Sequence, residues 1–128
     1  MPDTKPYLQD KAAEEFFALL ERGEFKTTRC RGCGETHYPP RVVCPACLGE
    51  VMDWVDLPCE GTLLAFTQQR DAIRCRRPEV LGLVELEGVG NVFTRIDAPL
   101  EDLRIGMRVA FDTWTSPDGV SLHQFRPC

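Results

Sequence analysis

Long apolar runs are missing from this sequence. No stretch approaches the roughly 18 residues that a membrane-crossing helix needs. The opening Met1-Pro-Asp-Thr-Lys5 has no basic segment followed by an apolar run, so no secretory signal is expected and the cytoplasm is the expected compartment. Basic charge is also short: 15 Lys and Arg against 20 Asp and Glu leave a net charge of −5. A nucleic-acid binder usually carries a basic excess, so the sign argues against that partner. Nucleophile-elbow, P-loop and dinucleotide-binding signatures are all absent. An independent hydrolase or transferase is therefore the reading with the least support. No repeat or low-complexity segment stands out either, except for one doubled motif built on cysteine.

Cysteine is what the chain does have, with seven copies. Four form Cys30-Arg-Gly-Cys33 and Cys44-Pro-Ala-Cys47, two C-x-x-C pairs separated by ten residues. Each pair can make a tight knuckle that aims two sulfurs at one point. Two knuckles on facing hairpins give a tetrahedral four-thiolate site, the arrangement of structural zinc. Gly34 can take the positive φ that turns backbone N–H groups toward sulfur, and Pro45 stiffens the second turn. Two disulfides would need an oxidising compartment, and an odd number of cysteines fits a reducing one. Iron is the other metal that four thiolates hold, which would make a rubredoxin-like electron carrier. His37 lies between the pairs. Four sulfurs already fill the shell, so packing or hydrogen bonding in the hairpin is its expected role. Cys59, Cys75 and Cys128 are left over with no pattern of their own.

The order of patterns gives a mainly β chain in three parts. Residues 1–23 are a lead-in and a helix from about Asp10 to Arg22, with Ala12, Ala13, Phe16, Phe17, Leu19 and Leu20 on its apolar face. Asp10 is the expected cap and Gly23 the expected stop. That face packs on its own domain, or else Phe16 and Phe17 form an exposed patch for a partner subunit. Residues 24–57 are the rubredoxin-like four-cysteine ribbon. A strand at Phe25–Arg29 enters it, the extended Tyr38–Val43 joins the knuckles, and a strand at Met52–Leu57 leaves it. Residues 58–128 read as strands at Gly61–Gln68, Val80–Glu87, Asn91–Ile96, Met107–Trp114 and Val120–Phe125, with a helical turn at Pro99–Leu103. Five strands with one helical turn between the third and fourth give a small OB-fold barrel, which also hides its edges.

Outside the ribbon, chemistry-bearing groups are sparse. His123 sits in a strand with alternating neighbours and reads as a half-exposed sheet residue rather than a base. Cys75 lies among arginines that could lower a thiol pKa, but no second catalytic group stands beside it. A zinc closed by four sulfurs has no open position for a substrate. Arg70, Arg74, Arg76 and Arg77 put four arginines in eight residues between the first two barrel strands. That local reversal of sign suits a phosphate-bearing ligand, an acidic partner surface, or simply a solvated loop. The alternative function is a single-stranded nucleic-acid module, with Phe66, Phe93 and Trp114 as stacking candidates.

Arg29-Cys30-Arg-Gly-Cys33-Gly34, then Tyr38-Pro39-Pro40-Arg41, Cys44-Pro45-Ala-Cys47, Trp54, Gly61-Thr62-Leu-Leu-Ala-Phe66-Thr67 and Ile105-Gly106-Met-Arg-Val109 follow one another in a familiar order. This series resembles the acyl-CoA-associated zinc-ribbon and OB-fold family, domain of unknown function family 35, over nearly the whole chain from about residue 12. Tyr-Pro-Pro-Arg between the pairs, with a barrel to follow, is the specific part. The resemblance implies an accessory subunit rather than a free-standing enzyme. Its implied partners are thiolases, thiolase-like lipid-transfer proteins, 3-hydroxy-3-methylglutaryl-CoA synthase and hotdog-fold enoyl-CoA hydratases. It further implies bridging of subunits and retention or passage of a CoA thioester, with ribbon and helix docking and the barrel near the CoA. Gln68-Gln-Arg-Asp-Ala-Ile-Arg-Cys-Arg-Arg77 departs from the family's more apolar, proline-rich segment at that point.

Overall fold

A computed structural model describes residues 11–70 and 78–128. The chain divides after Leu57 into two compact units, each with its own core. In the first, helix α1 spans Lys11–Glu21 and buries Ala12, Phe16, Leu19 and Leu20, a helical spacing that makes a single stripe. The helix stops where Gly23 takes a φ of 77°. The Gly23 and Glu24 amides then donate back to Leu20 and Leu19 carbonyls at 2.9 and 3.0 Å. The expected cap Asp10 lies outside the described residues. The stripe packs on strand β1, Lys26–Cys30, which pairs antiparallel with β2, Met52–Asp56. Thr27 and Thr28, on opposite faces of β1, are both buried, and their hydroxyls are used by the loop that joins the knuckles. The strand leaving the ribbon ends one residue before the expected Leu57, and the entering strand is displaced by one residue. The Tyr38–Val43 connection forms no strand.

The second unit is a closed five-strand barrel in the order β3-β4-β5-β7-β6. Its strands are β3 (Glu60–Gln69), β4 (Glu79–Leu86), β5 (Gly90–Ile96), β6 (Arg108–Thr115) and β7 (Ser121–Pro127), with a 3-10 turn at Leu100–Asp102 between β5 and β6. Every neighbouring pair is antiparallel except β5 and β7, which run parallel through Arg95–Gln124 and Ile96–Phe125. This is the OB-fold order. β4 and β5 alternate buried and more exposed positions along most of their length, so period two is satisfied and one face fills the barrel. Leu63, Val84, Val92, Val109 and Phe125 are fully enclosed there. A register shift between Leu63 and Ala65 bends β3 around the barrel. Closure also needs two places with no side chain: a Cβ on Gly61 would lie 2.6 Å from the Glu85 carbonyl oxygen, and one on Gly82 would lie 2.8 Å from Ile96.

Candidate metal centre

The metal site follows from the ribbon. β1 delivers Cys30 at its end, and the chain turns back so that Thr36 bridges to Arg29. In this turn the Gly34 amide donates to the Cys30 carbonyl at 2.8 Å, and Gly34 has a φ of 80°. The second knuckle is closed by Leu48 donating to the Cys44 carbonyl at 2.8 Å and Cys44 donating to the Gly49 carbonyl at 2.9 Å. Arg31 clamps the base of the ribbon through a two-pronged ion pair with Asp53, which holds that carboxyl below the usual carboxylate range.

Together these turns gather Cys30, Cys33, Cys44 and Cys47, whose sulfurs all lie within 4.8 Å of one another. Cys30–Cys47 and Cys33–Cys44 are 3.5 and 3.6 Å apart. A tetrahedral zinc with Zn–S bonds of about 2.3 Å sets its sulfurs about 3.8 Å apart, so the spacing fits zinc and is too long for a disulfide. Electrostatics point the same way. Backbone N–H groups of Cys33 and Gly32 bring Cys30 down to about 7 against the opposing effect of burial. At Cys33 the Glu35 N–H lowers the thiol, but partial desolvation of the sulfur and the neighbouring sulfurs outweigh it and push it up to about 12. Four such sulfurs cannot all ionise unless a cation joins them. The zinc is structural, because four thiolates leave no position for a substrate. Cys30 and Cys44 are buried, whereas Cys33 and Cys47 are at the surface.

His37 is not among the gathered ligands. It is buried beside them and takes the hydrogen-bonding role expected of it: Nδ1 is 3.1 Å from Thr28 Oγ1 and Nε2 is 3.4 Å from Cys44 Sγ. Phe16 is only 6 % exposed and stacks edge-to-face on Phe17 and Tyr38, so it is not part of an exposed patch. Phe17 is half-buried. The apolar surface of this unit lies elsewhere, on Val42, Val43, Leu48 and Val51.

On the barrel, Arg70 is exposed at the end of β3, while Arg74, Arg76, Arg77 and Cys75 lie outside the described residues. The three stacking candidates have different surroundings. Phe66 pairs with Gly82 and is half-buried, Phe93 is 65 % exposed, and Trp114 carries the Arg95 guanidinium 4.5 Å above its ring. Phe66 and Phe93 line a shallow, almost wholly apolar groove of about 280 Å³ with Ala65, Leu81 and Leu83. His123 is half-buried, with Nδ1 2.7 Å from Thr94 Oγ1. Burial lowers its pKa to about 4.

That shift sets a pH dependence. Folded His123 stays neutral where the unfolded chain, with an ordinary pKa near 6.5, takes up a proton. Its contribution is complete above about pH 6.5 and is lost as pH falls toward 4. Barrel stability is expected to drop by about 2 kcal/mol between pH 8 and pH 5 on this account. Urea unfolding at both values checks it, and His123→Gln should flatten that part of the profile.

Fold and site together define a four-thiolate zinc ribbon joined to an OB-fold barrel. Residues 17–53 match the family model of the ChsH2 rubredoxin-like zinc ribbon domain, and residues 54–113 match that of the ChsH2 C-terminal OB-fold domain. A DUF35 domain-containing scaffold protein of Methanocaldococcus jannaschii is 29 % identical over 111 residues, covering 82 % of this chain and 79 % of its own. The solved Ltp2-ChsH2(DUF35) aldolase superposes with a TM-score of 0.79 at 22 % identity, over 99 % of this chain and 98 % of the matched one. A DUF35 protein of unknown function from Sulfolobus solfataricus superposes with a TM-score of 0.65 at 16 % identity, over 92 % and 86 %. The chain belongs to the DUF35 family of zinc-ribbon and OB-fold proteins. Among the described residues, no helix is long and apolar enough to cross a membrane.

Proposed function

We propose that this chain is a non-catalytic scaffold subunit that docks on a thiolase-like, lipid-transfer-like or hydratase enzyme and helps it hold or pass an acyl-CoA thioester. The observation that carries the docking part is Leu48. It is 74 % exposed and has a φ of 64°, in the left-handed region that the closed second knuckle requires. A non-glycine residue there costs on the order of 1–2 kcal/mol, and leaving a leucine in water forgoes about 1.5–3 kcal/mol of burial. A zinc-held turn can sustain both, and a partner surface that buries Leu48 with Val42, Val43 and Val51 would recover the second. A cleft of about 330 Å³ beside Val42, lined by Trp54, Met52, Lys11, Glu15, Arg41 and Glu50, offers a seat for a partner side chain. Relatives described as a scaffold protein and as part of an Ltp2-ChsH2 aldolase support the enzyme-partner reading. On the barrel, the apolar groove has the chemistry for an acyl chain, and the arginine segment from Arg70 to Arg77 has the charge for CoA phosphates or partner carboxylates.

Leu48→Gly separates docking from folding. Glycine relieves the left-handed strain, so zinc content and thermal stability should hold or rise. Capture of the acyl-CoA enzyme from native lysate should fall at least about tenfold, the loss of one buried anchor. Undiminished capture, or capture of no acyl-CoA enzyme by the unaltered chain, would refute the proposal.

A further inference from the structure

A zinc ion with four thiolates carries a net charge of −2, and a partly buried site needs hydrogen-bond donors around that charge. Backbone amides supply them to three sulfurs: Cys33 and Gly32 to Cys30, Glu35 to Cys33, and Gly49 to Cys47. Cys44 has a side-chain neighbour. It is fully buried, and its Sγ lies 3.4 Å from Nε2 of His37, itself 5 % exposed.

The tautomer follows from the acceptors. A metal-bound thiolate has no proton, so in this contact Nε2 must carry the hydrogen. In a neutral ring Nδ1 is then bare and accepts from the Thr28 hydroxyl 3.1 Å away. Thr28 Oγ1 is oriented for that task by accepting the Arg41 amide at 2.9 Å. The backbone of His37 is fixed on both sides: its amide donates to the Thr28 carbonyl at 2.9 Å, and its carbonyl accepts the Thr27 hydroxyl. Every polar group of the residue is therefore assigned, and the two buried threonines of β1 hold one histidine, Thr28 by its ring and Thr27 by its carbonyl.

Resting on the zinc reading of the four cysteines, we propose that His37 is a positioning residue of the metal centre. As the neutral Nε2–H tautomer, set by Thr28, it donates to the Cys44 thiolate and slows metal loss without ligating the metal. Cys44 and Cys30 then anchor the ion, and release starts at the exposed pair, Cys33 and Cys47.

The test uses the full chain. Metal content is measured first; a chain without stoichiometric zinc overturns the centre and this proposal with it. On the zinc-loaded, ¹⁵N-histidine-labelled protein, long-range ¹H–¹⁵N correlation should show Nε2 protonated and Nδ1 bare. The ¹¹³Cd-substituted protein should show coupling between the metal and the His37 ring proton, relayed by Cys44 sulfur. A loaded centre with the opposite tautomer, or without that coupling, overturns the proposal alone. In chelator competition His37→Phe should release zinc about 10–100-fold faster, the range found when a residue supporting a metal ligand is lost. His37→Gln, which keeps an N–H donor, should recover part of the difference. Wild-type release from His37→Phe would also overturn it.

Discussion

Cys44→Ser should abolish zinc binding and unfold residues 11–57 while the barrel remains folded. The first unit consists of one three-turn helix and a two-strand ribbon, and a two-strand hairpin is marginal in water by itself. Its apolar core is Ala12, Phe16, Leu19, Leu20, Phe25 and Leu57, with two cysteine ligands completing the interior. Structural zinc supplies about 10–16 kcal/mol of apparent binding free energy, more than such a core can replace. Serine at Cys44 leaves three thiolates and a poor oxygen ligand inside a fully buried position. Elemental analysis should then find no stoichiometric zinc. Amide spectra should lose dispersion for residues 11–57 and keep it for residues 60–127. A folded ribbon with full zinc in Cys44→Ser would mean that the four-cysteine centre is wrongly assigned.

Phe125→Ala is expected to remove most of the barrel's stability, about 3–5 kcal/mol. Phe125 is completely enclosed and meets Phe111 edge-to-face with centroids 6.1 Å apart. It also sits at the parallel junction, opposite Ile96 on β5 and Phe111 on β6, and its carbonyl accepts the Asp97 amide at 2.8 Å. An alanine there would open a cavity where three strands meet. For a unit of this size the total stability is roughly 4–10 kcal/mol at the usual value per residue. The variant should therefore unfold at a much lower urea concentration, with the ribbon and its zinc retained. A loss under about 1 kcal/mol would show that the barrel interior is not packed as described.

The barrel was legible because its strands obey a rule of period two and its turns carry glycine. Val80–Glu87 and Asn91–Ile96 alternate around Gly88 and Gly90; the first observed strand is shifted back by one residue at both ends and the second starts one residue earlier. The four cysteines were legible because their spacing is itself the geometry. Phe16 and Phe17 show where periodicity stops. The pattern finds the apolar face of a helix but not what covers it, and here the ribbon of the same unit covers Phe16 through Tyr38. Leu48 was missed altogether. It is one apolar residue in a turn, with no periodicity to mark it. The available signal was its place just after the second knuckle, where the chain needs a positive φ and glycine would be the expected residue. His37 needed the fold to choose its role, since its ring is placed between Thr28, nine residues before it, and Cys44, seven residues after it. Aromatic content alone could not distinguish Trp114, covered by Arg95, from the exposed Phe93.

The central claim is that the zinc-held knuckle is the docking face of a scaffold subunit. Hydrogen–deuterium exchange on the purified complex, set against the free chain, tests it most directly. Docking as proposed predicts new protection over residues 41–51, around Val42, Val43, Leu48 and Val51. Protection confined to the barrel, with residues 41–51 exchanging as in the free chain, would contradict it.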